Sequence, residues 1–198
     1  MSYYLAIIGT KDNPIFEYEF GTSKQGGDGV ARFRDEARHM NQFIVHSSLD
    51  IVEEVQWTTG AMYALIPLTL LLLLMLTLCS HCRYLKSIDR FYNNFISCFL
   101  TGSGARFLLL HCPDPSATHN AHLTPMPPSS ATDKRTSSAS SIAYNPTSPA
   151  TEEAVKNFFA DVYENWVKTT MNPFYTVNAP IRSPVFKARV AAAGRKYL

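Results

Sequence analysis

Met40-Asn-Gln-Phe-Ile-Val-His-Ser-Ser-Leu-Asp-Ile-Val-Glu-Glu-Val-Gln56 is the stretch whose reading decides the fold. At about 100° per residue, Met40, Phe43, Ile44, Ser47, Ile51 and Val55 share one side of a helix, and Val45, Leu49 and Val52 fall roughly opposite. A surface helix needs one apolar stripe. The first stripe is expected to cover a sheet. The second, Val45, Leu49 and Val52, is expected to face outward, because the remaining domain is too small to wrap both sides. On that expectation Leu49→Glu breaks an assembly and leaves the isolated domain folded.

Outward from this helix, the preceding residues read as a hairpin. Tyr3 to Ile8 is a short aromatic and branched run ending at Gly9, and reads as a strand central in its sheet. Thr10 to Pro14 is turn chemistry. Ile15 to Phe20 alternates, with Phe16, Tyr18 and Phe20 on one face and Glu17 and Glu19 on the other, as a half-buried strand does. The glycines at 26, 27 and 29 lack the context of a phosphate loop and read as a connection. On the other side of the helix, Tyr84 to Phe91, Phe95 to Leu100 and Arg106 to His111 make three strands of an antiparallel meander. They are joined by turns at Asn93-Asn94 and Thr101 to Gly104.

Residues 113–150, rich in Pro, Ser and Thr, are expected to be a disordered insert that buries too little surface to offset its ordering entropy. Thr151 is a plausible N-cap for a helix in which Val155, Phe158, Phe159, Val162, Tyr163, Trp166 and Thr170 recur at steps of three and four. It is expected to end before Asn172-Pro173. Ser183-Pro184 opens a last helix, with Gly194 as a C-cap. Its bases Lys187, Arg189, Arg195 and Lys196 read most simply as a solvated face. The order is strand, strand, helix, three strands, helix, helix. An α+β fold satisfies it: a five-stranded mixed sheet with one helix on one face and two on the other.

The totals narrow the function. Of 198 residues 46% are hydrophobic, enough for a packed core. A net charge of +2 lacks the concentrated basic stripe of a dedicated nucleic-acid binder. The first residues have no basic n-region, and the four cysteines show no disulfide framework, so the chain reads as cytosolic with reduced thiols. His39 and His46 share a helical face but lack a third ligand, and Cys79-Ser-His-Cys82 lacks a second pair. No nucleophile elbow or paired carboxylates appear, so no enzyme is expected, and no cofactor.

Several segments carry a resemblance: Asp12-Asn-Pro-Ile-Phe-Glu-Tyr-Glu-Phe20, Met40-Asn-Gln-Phe-Ile-Val-His46, Leu49-Asp50, Lys156-Asn-Phe-Phe-Ala-Asp-Val-Tyr163, Met171-Asn-Pro-Phe-Tyr175 and Pro180-Ile-Arg-Ser183. In this order they resemble the sedlin family, small longin-fold subunits of the TRAPP vesicle-tethering complex. The resemblance implies a longin-like (profilin-like) domain over residues 1–198. It also implies a non-enzymatic scaffold in transport from endoplasmic reticulum to Golgi, bridging small core subunits to a large peripheral one. The whole complex would act on a Rab GTPase. The chain would be cytoplasmic and peripheral at endoplasmic reticulum and cis-Golgi membranes through that complex. Geometry and resemblance together place partner contact at Val45, Leu49, Asp50 and Val52, with Phe174 and Tyr175 as a second contact. The alternative is a longin-type membrane-fusion protein of the SNARE class, which needs a long heptad segment and a C-terminal anchor. Here the apolar run is internal.

That run, a leucine-rich insert over residues 61–83, departs from the family pattern, in which Met62-Tyr63 would lead almost directly to Leu85-Lys86. It is charge-free from Val55 to Cys82 and long enough to span a bilayer. A span would put the first hairpin and the meander on opposite sides of a membrane, and the sheet could not close. The other readings are a segment retained from an unspliced message, or an apolar helix docked on the domain, a partner or a membrane surface. Exposing its nine leucines to water would cost roughly 1.5–3 kcal/mol each, so a real segment must be covered.

Overall fold

Strand β1 (Ser2–Ile8) is buried at every residue. A run this apolar belongs inside a sheet covered on both faces. Its neighbours are β2 (Pro14–Gly21) and β5 (Arg106–Cys112). Beyond β5 lie β4 (Asn94–Leu100) and β3 (Arg83–Phe91), so the order is β2-β1-β5-β4-β3. The computed structural model describes residues 1–23, 27–33, 35–60, 83–113 and 148–198. The leucine-rich run over 61–82 and most of the 113–150 stretch lie outside the described residues.

All four strand pairings are antiparallel, which corrects the expected mixed sheet. The helical connection does join two strands of the same direction, β2 and β3. It lands them at opposite edges, so they are never neighbours. The turns are tight: the Gly9 N–H donates to the Asn13 carbonyl at 2.9 Å. Gly104 takes φ +82° in the β4–β5 turn, where a glycine is needed. Edge strand β3 is irregular. Its register shifts on both sides of the Lys86–Ser87 pairs, Lys86 has φ 62°, and its ammonium meets Glu152 at 3.3 Å. Bulges and an edge lysine discourage pairing with another chain.

The two faces are covered as expected. On one lie α3 (Pro149–Thr170) and α4 (Pro184–Tyr197). On the other lies a single helical path, α1 (Asp35–Ser47) and α2 (Leu49–Gly60), interrupted at Ser48. The hydroxyls of Ser47 and Ser48 bond back to the carbonyls of Ile44 and Val45, at 2.8 Å each. Such back-bonding competes with the helix ladder and loosens it locally.

On the first face, Val155, Phe158, Phe159, Val162 and Trp166 of α3 are buried, as their period predicts. Phe186 of α4 meets Phe16 edge-on at 4.8 Å. Two boundaries differ from expectation. The α3 N-cap is Ser148, whose hydroxyl accepts from the Thr151 N–H, so residues 148–150 belong to the helix start and not to the insert. Pro149 can open a helix because its missing N–H would be unpaired there anyway. At the other end, Gly194 lies inside α4 rather than capping it, since the helix runs to Tyr197. A Cβ at Gly194 would sit 3.1 Å from the Phe20 ring, so close helix–sheet packing, not a turn, explains this glycine.

Candidate interaction site

The α1–α2 path is turned about its axis from the expected orientation. Val45, Leu49 and Val52 are 1, 8 and 0% exposed and pack on the sheet with Ile44, Ala6, Leu108 and Leu110. Asn41 and Ser48 complete the buried side. Met40 and Phe43, expected to face the sheet, are 45 and 62% exposed. The buried set is the expected set displaced by about one residue, which on a helix is a rotation of about 100°. Both stripes are apolar, so the period alone leaves the phase open. Polar contacts at the sheet edge match the observed phase. Arg38 pairs with Glu19 at 2.8 Å, and the Gln42 amide donates to Glu17 at 2.9 Å. Leu49→Glu would therefore drive a carboxylate against the sheet instead of testing an interface.

The outward seam runs Met40, Phe43, Ser47, Asp50, Glu54, at steps of three and four. Its first part is apolar and its last part acidic. Asp50 is exposed at the start of α2, as its site assignment requires. One turn on, Glu53 is tied inward to Arg106 at 3.1 Å, and the same guanidinium holds Asp12. Arg106 thus joins β5, the β1–β2 turn and α2. Nothing local in the sequence marks that role.

The second expected contact divides. Phe174 projects, 92% exposed, between Met171 and Val177. Tyr175 turns inward: its hydroxyl donates to the Ala179 carbonyl at 2.9 Å and its ring packs on the core. The loop that carries them is latched to the first hairpin. The Asn178 carboxamide accepts from the Thr10 N–H at 3.1 Å and donates to the Thr10 hydroxyl at 2.9 Å, while Asn13 donates to the Asn178 carbonyl at 2.8 Å. Gly9 makes room for this: a Cβ there would lie 2.4 Å from the Asn178 amide oxygen. Sequence reading missed the latch because its partners are far apart in the chain.

Among the described residues, no three His, Cys, Asp or Glu side chains are grouped to hold a metal ion, and no helix is long and apolar enough to cross a membrane. Cys79-Ser-His-Cys82 lies outside them. Burial pushes the Cys98 and Cys112 thiols up to about 12, so both stay protonated and weakly nucleophilic. His111 is fully buried, with one ring nitrogen 3.0 Å from the Ser97 hydroxyl, and burial lowers it to about 4. It is a neutral core histidine.

A five-stranded antiparallel sheet, two helices on one face and a helix with an open outer seam on the other define a longin-like α+β domain. The family model described as Sedlin matches residues 7–196. The "Transport protein particle 20 kDa subunit" of Schizosaccharomyces pombe is 35% identical over 198 residues, covering all of both chains. The "Probable trafficking protein particle complex subunit 2" of Drosophila melanogaster is 32% identical, covering all of this chain and 97% of its own. The "Trafficking protein particle complex subunit 20" of Saccharomyces cerevisiae is 32% identical, covering all of this chain and 99% of its own. The chain belongs to the Sedlin family.

Proposed function

We propose that this chain is a non-enzymatic scaffold subunit of a trafficking protein particle complex in vesicle transport between endoplasmic reticulum and Golgi. The outer α1–α2 seam seats another subunit, with Met40 and Phe43 as apolar anchors and Asp50 as the charged contact. The observation that carries this reading is Phe43, 62% exposed on a helix whose opposite side is closed on the sheet. A large aromatic left in water on a rigid element is the kind of anchor that dominates binding energy at an interface. Family membership over nearly the whole chain supports the same reading. The small core subunits and a large peripheral subunit are the partners, and any effect on a Rab GTPase belongs to the whole complex. The chain works in the cytoplasm, reaching endoplasmic reticulum and cis-Golgi membranes as a peripheral component. Phe174 marks a second contact.

Tagged purification from the source cells, with mass spectrometry of what co-elutes, tests the assignment. The expected result is recovery of other tethering subunits in near-equal amounts, lost with Phe43→Asp or Asp50→Lys. Recovery of the chain alone would sink it.

A further inference from the structure

Charge and apolar exposure both rise in the last stretch of the sequence. Residues 165–198 hold six of the chain's 18 basic residues and none of its 16 acidic ones, so the remainder is net acidic. Within that basic stretch, Met171, Phe174 and Val177 are 77, 92 and 78% exposed. Side chains exposed to that degree project singly and do not shield one another, unlike the close-packed centre of a protein interface. The loop holds them stiffly. The Asn172 carboxamide accepts from the Phe174 N–H at 3.1 Å, the Tyr175 N–H donates to the Asn172 carbonyl at 2.9 Å, and the Asn178 latch fixes the far end. Lys11, beside the latch, and Arg182, just past the loop, are exposed, and neither joins an ion pair among the described residues.

Projecting apolar tips flanked by free cations suit an interfacial surface. The cations meet anionic headgroups and the tips dip beneath them. A stiff loop adds little ordering cost on binding. We propose that the α3–α4 loop contacts anionic bilayer: Met171, Phe174 and Val177 enter the interface, and Lys11 and Arg182 meet lipid phosphates. This names the occupant of the second contact and rests on the reading above only for the choice of site.

The test is flotation of the purified full chain with vesicles of phosphatidylcholine alone or mixed with phosphatidylserine. The chain is expected to float with the anionic vesicles and to be released by salt. Removing both charges, Lys11→Ala with Arg182→Ala, is expected to lower the partition on the order of thirtyfold. Phe174→Ser, at a position with almost no burial to lose, is expected to lower it on the order of tenfold. Residues 61–82 are the same in every variant, so any contribution of theirs cancels in the comparison. Equal flotation of wild type and variants, or no preference for anionic vesicles, overturns the proposal. So does loss of co-purifying subunits from the Phe174→Ser chain while its flotation is unchanged, which would make the loop a protein contact. Absence of co-purifying subunits from wild type bears on the subunit assignment alone, because flotation uses the isolated chain.

Discussion

On the α3–α4 face, rings from several elements interlock: Phe99 stacks on Phe159 at 5.6 Å, Phe107 meets Trp166 edge-on at 5.7 Å, and Phe20 lies 5.6 Å from Phe158. On the α1–α2 face the core is mainly aliphatic, and the covering helix leaves Met40 and Phe43 in solvent. The first face is finished within the chain. The second buries what it needs and, among the described residues, leaves one apolar seam uncovered. The contrast separates residues that hold the fold from residues that the fold leaves exposed, and it does so along one helix, residue by residue.

Truncations on the two faces test that separation. Phe158→Ala, at a site with no exposure, is expected to cost about 3–5 kcal/mol and lower the thermal midpoint most. A small loss there would mean that the aromatic face is not the main store of stability. Leu49→Ala, on the inner seam, is expected to cost about 2–3 kcal/mol in denaturant unfolding, the low end for a leucine because the site touches solvent. A neutral result would restore the outward reading of this residue. Acidification gives a smaller, graded effect. His111 is held near 4 in the folded state against an ordinary 6.5. Between those values the unfolded chain binds a proton that the folded chain does not. Stability is therefore complete above 6.5 and falls as pH drops toward 4, by up to about 1.4 kcal/mol per unit. His111→Gln is expected to flatten that slope in urea midpoints measured against pH, and an unchanged slope would assign it to other groups. Phe43→Ala is expected to have the smallest effect on stability, within about 0.5 kcal/mol, while recovery of partner subunits drops. A large destabilisation there would erase the distinction between the seams.

Much of the fold was legible because each strand carried its own local signal. The run from Tyr3, the alternation at Phe16, Tyr18 and Phe20, and the three-strand meander all appear where their residues placed them, within a residue or so. Ser183 caps α4 as its chemistry predicts. What failed depended on tertiary context. Periodicity shows that a helix has apolar stripes, and it cannot rank two of similar strength. The observed phase goes with Arg38, Gln42 and the break at Ser48, whose partners lie on β2 or in the helix's own carbonyls. For that reason Val45, Leu49 and Val52, expected outward, lie inward, while Asp50 and Phe174 are exposed as expected. Gly194 looked like a terminator because its contact, the Phe20 ring, is remote in sequence.

The Arg106 junction has a mechanical consequence. Glu53 on α2 is tied through Arg106 to Asp12, and the turn that bears Asp12 also grips Asn178 through Thr10 and Asn13. A continuous polar strut therefore runs from the helix that carries Asp50 to the loop that carries Phe174. Asp50 and Phe174 are thereby held at a set spacing and angle, like the jaws of a caliper. With both proposed contacts occupied, a body resting on one jaw would be gauged against whatever met the other.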